Sequence, residues 1–595
     1  MAFHPLRVQL LIVAAARLAL PEGDVPPFAV GLGDWVRQEL GVPIHRPATS
    51  SWIRRHRVTS DSLVTLTVAL RIDPERQQKL ERTLFELSDP GHPRYGLHLG
   101  QDEVTELLAI PSERVAETYS YFSAAGAVKI EIAPNSDMLT VTMRGTDVEV
   151  ALRTELRFFE HRERGSVQIV RASSHYHLPS QIAEHVSMIG EILQFPRIPP
   201  TKSSRGQVDG GGGGGNWTNS CEAHECAGLV TPEVIALRYM LPSSTPYPPK
   251  SDNTMSVVEF EGEFFNTSDL EAFGKSCHRN VRVDTLIGDN KPLPGQPGIE
   301  AELDIEYIKS VAPEIPLTVI YINEYSLLQW VNQINSMSNP PLVHSVSYGM
   351  DEAQQVSSEF MQVCNIGFMK AGIRGLTILV ASGDMGVCGR EGCGNPTEFF
   401  HPDFPAASPF VTVVGGTDFE GDGIGPEMAW QNGGGGFSDS FAMPAYQADA
   451  ISAYLHAPDA KLPPQRFWNS SNRGYPDVAA LAGSKAPYCI NTDGSFWGIT
   501  GTSASTPVVA GVFAKLNGLR SANGQRPLGF LNPFIYGHPE GFQDVTSGTN
   551  KGEGTCGFSA VKGWDAATGL GTPNFTALAA IVARTGALKR TSFLV

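Results

Sequence analysis

The sequence predicts an α/β protein in which a parallel sheet flanked by helices follows a smaller α+β unit. Three observations carry that expectation. Apolar runs at 317–322, 342–346, 376–381 and 410–414 are too continuous for half-exposed strands, and helical stretches such as 358–371 separate them. Strands buried on both faces and alternating with helices belong to a covered parallel sheet. Around 200–220 the segment RIPPTKSSRGQVDGGGGGGNWTNS, with an unbroken glycine run from Gly210 to Gly215, holds too little apolar surface to fold and divides the chain. Upstream of it, shorter elements alternate over about 140 residues. Residues 63–72 alternate as a strand, 74–87 place Leu80, Leu84 and Leu87 at helical spacing, and 138–143 alternate again. Val148, Leu152 and Phe159 predict one more helix, and 88–96 (SDPGHPRYG) is turn-rich.

Composition narrows the class of function. Of 595 residues, 41% are apolar and 18% charged, which supports a large core and excludes a mainly disordered chain. The net charge of −17 argues against a nucleic-acid grip, which needs clustered Lys and Arg. Near pH 4, with roughly half the carboxylates neutral and the histidines charged, the net charge turns positive. Residues 1–20 carry an apolar run behind one Arg and form a candidate signal peptide. No other stretch reaches the ~18–20 apolar residues of a membrane span, so no anchor is expected. Eight cysteines all lie at or after residue 221, without zinc-type CxxC pairs. Cys221/Cys226 and Cys388/Cys393 are each five apart and would permit local disulfides, although the full pairing stays open. Sequons at Asn216, Asn266, Asn469 and Asn574 fit a secreted protein or one of an acidic vacuole or lysosome-like compartment.

The densest chemical motif is 500–507 (TGTSASTP), followed by VVAGVF, apolar enough for a buried helix. Gly501 allows close backbone approach, and a serine at a helix N-terminus lies beside unpaired N–H groups that favour developing negative charge. Ser503 is therefore a candidate nucleophile, against the plainer reading that Ser and Thr only cap the helix. A nucleophilic serine needs a base. No His-Gly dipeptide exists, and His344, inside an apolar run, reads as a core histidine. The helix-compatible segment 298–308 (GIEAELDIEYI) instead carries four acids. Glu300 and Asp304 share one face, and Glu302 and Glu306 share nearly the opposite one. Like charges so placed must share a proton, and spacing alone does not choose between the pairs.

Glu-Ala-x-Leu-Asp at 300–304, Ser-Gly-Asp-x-Gly at 382–386 and Gly-Thr-Ser-Ala-Ser at 501–505 together resemble the sedolisins, the serine-carboxyl peptidases. Supporting stretches are 405–409 (PAASP), 414–417 (VGGT), 434–438 (GGGFS) and 475–479 (YPDVA), and 88–96 resembles the hallmark of the family's prodomain. The resemblance implies a subtilisin-like catalytic domain at 226–583, an α+β ferredoxin-like inhibitory prodomain at 50–198 and a processing linker at 199–225. It implies Ser503 as nucleophile, Glu300 as general base, Asp304 as the carboxyl that orients Glu300, and Asp384 in the oxyanion place. A glutamate base suits work in acid, and an aspartic acid donates to an oxyanion only while protonated. Met385 and Thr500 stand where the family commonly has Ser. Near the C-terminus, 541–546 and 561–565 resemble the family's Ca²⁺ site, with the carboxylates of Asp544 and Asp565 and the carbonyls of Val545, Val561 and Gly563 as implied ligands.

The expectation is thus an acid-active, monomeric peptidase made as a self-processing zymogen. Its partners are protein and peptide substrates and its own prodomain, with no nucleic acid and no membrane. It would release N-terminal tripeptides, with an acid endopeptidase or a silent binding protein on this scaffold as alternatives. A conventional Asp-His-Ser subtilase would need a histidine near Ser503.

Overall fold

A computed structural model describes residues 34–39, 51–162, 167–196, 214–243, 252–260, 262–292, 298–355, 357–394, 397–485 and 487–585. The candidate signal peptide and the linker up to 213 lie outside the described residues.

The N-terminal unit contains strands β1 (Trp52–Arg57), β2 (Leu63–Leu70), β3 (Lys129–Ile132), β4 (Met138–Arg144), β5 (Leu156–His161), β6 (Gln168–Ala172) and β7 (Val186–Gly190). They pair antiparallel as a four-stranded sheet, β3-β4-β2-β7, and a three-stranded one, β1-β5-β6. Alternation in β4 turns Leu139, Val141 and Met143 into one core. Helix α1 (Pro74–Ser88) opens on a proline, whose missing N–H costs nothing at that position, and buries Leu80, Leu84 and Leu87. Helices α2 (Gln101–Leu108) and α3 (Ser112–Ala124) follow. The helix expected through Phe159 is shorter than the pattern suggested. It spans Gly145–Ala151, Arg153 then takes φ +44°, and Phe159 lies in β5. A left-handed residue ends the helix, and the Phe158-Phe159 pair suits a pleated strand.

The larger unit is built on an eight-stranded sheet: β8 (Met255–Phe260), β9 (Thr285–Ile287), β10 (Leu317–Ile322), β11 (Val343–Val346), β12 (Thr377–Ala381), β13 (Thr412–Phe419), β14 (Glu427–Ala429) and β15 (Val478–Leu481). The order β9-β10-β8-β11-β12-β13 is parallel; β15 adds parallel and β14 antiparallel to β13. Successive residues of one strand enter different cores. Val257, Val319 and Leu379 face one side, and Val258, Ile320 and Val380 the other. That two-sided burial is why the runs are continuous in sequence.

Helices α4 (Thr267–Ser276), α5 (Ile299–Val311) and α8 (Thr502–Ala522) contribute to the first core, and α6 (Leu327–Ser336) and α7 (Ser358–Ile373) to the second. α8 is buried along almost its whole length, and a Cβ at Gly511 would lie 2.7 Å from the Val311 Cβ, so glycine there lets α5 approach α8 closely.

The N-terminal unit covers α6 and α7. Leu80, Leu84, Leu87 and Val104 join the second core. Polar contacts lock the seat. Lys370 on α7 pairs with Asp137 at 2.7 Å, both side chains no more than 2% exposed. Ser326 and Ser357, the N-caps of α6 and α7, donate to Glu191 and Glu39 respectively, each at 2.6 Å. Two carboxylates thereby face two helix N-termini, where negative charge is favoured.

The disulfides are Cys388–Cys393, as the spacing permits, with Cys221–Cys277 and Cys226–Cys489. Cys221 and Cys226 do not pair with each other. The Glu222 amide bonds to the Ser276 carbonyl and brings Cys277 beside Cys221, while the Val230–Tyr488 bridge brings Cys489 beside Cys226. Among the described residues, no helix is long and apolar enough to cross a membrane.

Candidate active site

The chemistry-bearing side chains meet at the carboxyl ends of the parallel strands, where open α/β sheets place ligands. Ser503 sits in the first turn of α8 and is 8% exposed. Pro507 stands four residues on and lacks the N–H that would bond the Ser503 carbonyl. Ser347, just past β11, reaches that carbonyl with its hydroxyl at 3.4 Å, and the Ser503 Oγ lies 3.5 Å from the Ser347 carbonyl. The same Ser347 hydroxyl lies 2.7 Å from Asp304 Oδ1 on α5.

The four acids of α5 divide as their spacing allowed. Asp304 points to Ser347, and Glu300 lines the cavity that contains Ser503. Glu302 accepts the Asn266 amide at 2.6 Å and Glu306 accepts the Asn491 amide, so both are tied to the scaffold. Asp384 lies just beyond β12, and its Oδ1 accepts the Thr502 amide at 2.7 Å and the Thr502 hydroxyl at 2.8 Å. That anchors its carboxyl beside the helix start. A Cβ on Gly501 would come within 3.4 Å of Asp384 Oδ2.

Two contributors escaped the sequence reading. Ser347 bridges Asp304 and Ser503, and Glu259, fully buried at the end of β8, accepts the Tyr348 hydroxyl at 2.8 Å. A lone acid inside the apolar strand Met-Ser-Val-Val-Glu-Phe was the available signal for Glu259.

Ser503, Glu300, Ser347 and Asp384 line a cavity of about 1020 Å³ together with Trp430, Asn432 and Met385, with Asp304 and Glu259 behind its wall. Ser51, Trp52, His161 and Pro196 of the N-terminal unit close it from the other side. His161 is the one histidine lining it among the described residues, and it packs edge-on against Trp52 at 5.1 Å. His344 is buried in β11 with Nδ1 2.6 Å from the Ser256 hydroxyl, and burial pushes it down to about 3.

Burial dominates the electrostatics. It holds Asp304 well above the usual carboxylate range, with the charge of Glu300 adding to the shift and the Ser347 hydroxyl opposing it. Glu259 is raised by burial first, then by Asp304 and Glu300. Away from the cavity, burial pushes Glu302 up to about 9 and Glu352 up to about 7. Folded carboxyls that bind protons more tightly than unfolded ones stabilise fully below about pH 4.5, and that contribution is lost as pH rises through 7 towards 9. The protein should therefore melt at lower temperature at pH 8 than at pH 4.5, with Glu352 alone contributing on the order of 3 kcal/mol. A flat or rising melting curve over that range would contradict the assignment.

At the implied Ca²⁺ site, Asp565 is fully buried and accepts the amides of Val561, Ala567 and Thr568 at 2.8–3.0 Å. Asp544 accepts the Gly563 amide at 2.9 Å. The segment holding Val561 and Gly563 is thus held by both carboxyls, and Val545 is buried beside Asp544. Burial pushes Asp565 up to about 8, opposed by the backbone amides it accepts. A buried carboxylate with no ion pair among the described residues, in an all-oxygen donor set, fits a hard divalent cation.

Residues 50–195 match the Pro-kumamolisin activation domain and residues 291–525 the Subtilase family. Tripeptidyl-peptidase 1 of Mus musculus is 36% identical over 550 residues, covering 89% of this chain and 93% of that protein. Physarolisin of Physarum polycephalum is 34% identical over 582 residues, covering 90% and 96%. The chain belongs to the sedolisin family. Pseudomonas sedolisin, a solved serine-carboxyl proteinase, is 26% identical, covers 60% of this chain and 98% of that one, and superposes with a TM-score of 0.48. As a sedolisin, this chain is a serine-type peptidase with a subtilisin-like fold, made with an activation domain that inhibits and is removed by self-processing. The conventional Asp-His-Ser reading needs a histidine near Ser503, and among the described residues the one histidine lining the cavity is His161 of the N-terminal unit.

Proposed function

We propose that the chain is an acid-active tripeptidyl peptidase in which Ser503 attacks the scissile carbonyl and Glu300 takes its hydroxyl proton. The supporting observation is one cavity shared by Ser503, Glu300, Asp384 and Ser347, with no histidine from the same unit among the described residues. In this reading the Ser503 oxygen bonds to the carbonyl carbon, Glu300 later returns the proton to the leaving amine, and water hydrolyses the acyl-enzyme through the same carboxylate. When Asp384 carries a proton, it donates to the oxyanion from the carboxyl that Thr502 anchors.

Asp304 orients Glu300. Ser347 has a single proton for two acceptors, Asp304 and the Ser503 carbonyl. If Asp304 itself carries a proton, as its burial favours, it donates to Ser347 and both contacts are satisfied. Glu259 buries a further carboxyl against the pair and supports the shared proton.

Peptides of the Ala-Ala-Phe type with free and blocked N-termini, assayed at pH 3–5, test the reading. Cleavage of free N-termini alone supports tripeptide release, equal cleavage of both supports the endopeptidase alternative, and no cleavage of either after removal of the activation domain supports a silent scaffold. An acidic vacuole or lysosome-like compartment, or secretion into acidic surroundings, suits such an enzyme.

Asp544, Asp565 and the carbonyls of Val545, Val561 and Gly563 would hold Ca²⁺, which when bound braces these loops and leaves substrate untouched. Chelation should lower the melting temperature, with a loss of about 3 kcal/mol if free Ca²⁺ stood at about a hundredfold its Kd. An unchanged melting curve would refute the site.

A further inference from the structure

Maturation in acid requires the activation domain to let go, and one side chain just after its turn-rich segment is placed to make that happen. We propose that His98 is an acid sensor of the docked activation domain, and that its protonation against a cation-lined wall of the catalytic domain weakens docking and starts maturation. The inference rests on the zymogen reading of the family and adds the group that responds to pH.

His98 keeps some exposure as a residue, yet both ring nitrogens are buried, and neither has a hydrogen-bond partner among the described residues. The ring fits against two glycines of the catalytic domain. A Cβ on Gly375 would lie 2.6 Å from Nδ1, and one on Gly529 2.6 Å from Nε2. Neighbouring backbone pins the segment, since the Leu99 amide bonds to the Ile373 carbonyl at 3.0 Å.

The charges acting on the ring are Arg526, in the loop after α8, and Arg520, near the end of α8. Arg520 is buried, bonds to the Arg526 and Thr585 carbonyls, and lies 5.8 Å from the Tyr95 ring, whose hydroxyl burial keeps neutral. Arg374, beside Gly375, is bound to the carbonyls of Ile334, Asn335 and Met337. On the histidine's own segment, Arg94 is paired with Glu86 at 2.6 Å. A neutral imidazole is tolerated here, whereas an imidazolium has two buried N–H groups without acceptors and meets like charge.

Burial, then Arg526 and Arg520, hold His98 down to about 4 in the docked state, from an ordinary 6.5. A depressed histidine contributes docking strength that is complete above pH 6.5 and declines as pH falls to about 4, by about 300-fold at the bottom of that window. Glu191 sits at the other docking contact, against Ser326; burial raises it, so its protonation favours docking as pH falls and works against release.

The test reads docking without cleavage. In the full-length Ser503→Ala chain, amide hydrogen exchange over 368–376 is followed from pH 7 to pH 3.5, alone and with His98→Asn or Arg526→Gln. The chain without further change should lose protection as pH falls. His98→Asn should hold protection to a pH lower by about one unit, and Arg526→Gln should shift it the same way by relieving the repulsion. Arg526 is exposed, so its variant tests the proposal even if His98→Asn folds poorly. Loss of protection at the unaltered pH in Arg526→Gln, or in both variants, would overturn the proposal. A mistaken nucleophile would show separately, as self-shortening of the Ser503→Ala chain, with the exchange midpoint still readable.

Discussion

Ser503→Ala is expected to lower kcat/KM on peptide substrates by on the order of 10⁵-fold and to leave the chain at full length after incubation at pH 4. The size of the loss follows from removing a nucleophile whose partners act as a unit, so that little of the covalent route survives once the hydroxyl is gone. The substitution removes one oxygen at the start of α8, where Thr502 and Ser505 keep their own bonds to Asp384 and to the carbonyls of Ala480 and Leu481. The fold should therefore persist, and the variant's melting temperature should match that of the unaltered full-length chain. Normal maturation of the purified variant would refute self-processing by this serine.

Asp137→Asn is expected to weaken docking of the activation domain by about 3–5 kcal/mol, the cost of leaving a buried ammonium without its anion. Lys370 cannot relax into water. It is 1% exposed on α7, beneath the core that Leu84 and Val104 complete. The variant should mature at higher pH and faster than the wild type, because the catalytic face is uncovered before acid is supplied. A paired replacement, Asp137→Leu with Lys370→Met, should be milder than either single change, since two apolar side chains leave no unpaired charge. Unaltered maturation of Asp137→Asn would show that this pair contributes little to the seat.

How far the sequence alone reaches depends on whether its pattern reports a local or a tertiary fact. The strands were legible because two-sided burial writes itself as uninterrupted apolar runs, as at Leu317–Ile322. Helix α8 was legible because TGTSASTP followed by a buried apolar run has few other uses. The acids of α5 were visible as two pairs, but their assignment waited on Ser347 for one face and on Asn266 and Asn491 for the other, partners 36 to 185 residues away in the chain. Phe159 misled because residues at helical spacing can also fall on a strand once a left-handed residue intervenes at Arg153. Cys221 and Cys226 misled because nearness in sequence says little when Cys489, 263 residues from Cys226, is brought alongside by strand pairing. His98 carried no sequence signal of its own; its meaning comes from two glycines and two arginines of the other unit.

What the mechanism rests upon is that a carboxyl side chain, and no imidazole, accepts the proton of the attacking hydroxyl. The most direct measurement is kcat/KM against pH for the matured enzyme, comparing wild type with Glu300→Gln. A rate highest in the acid range, falling by about 10²–10⁴-fold across that whole range in Glu300→Gln, is the predicted result. A Glu300→Gln enzyme that keeps the wild-type rate, or a wild-type optimum at neutral pH, would contradict it.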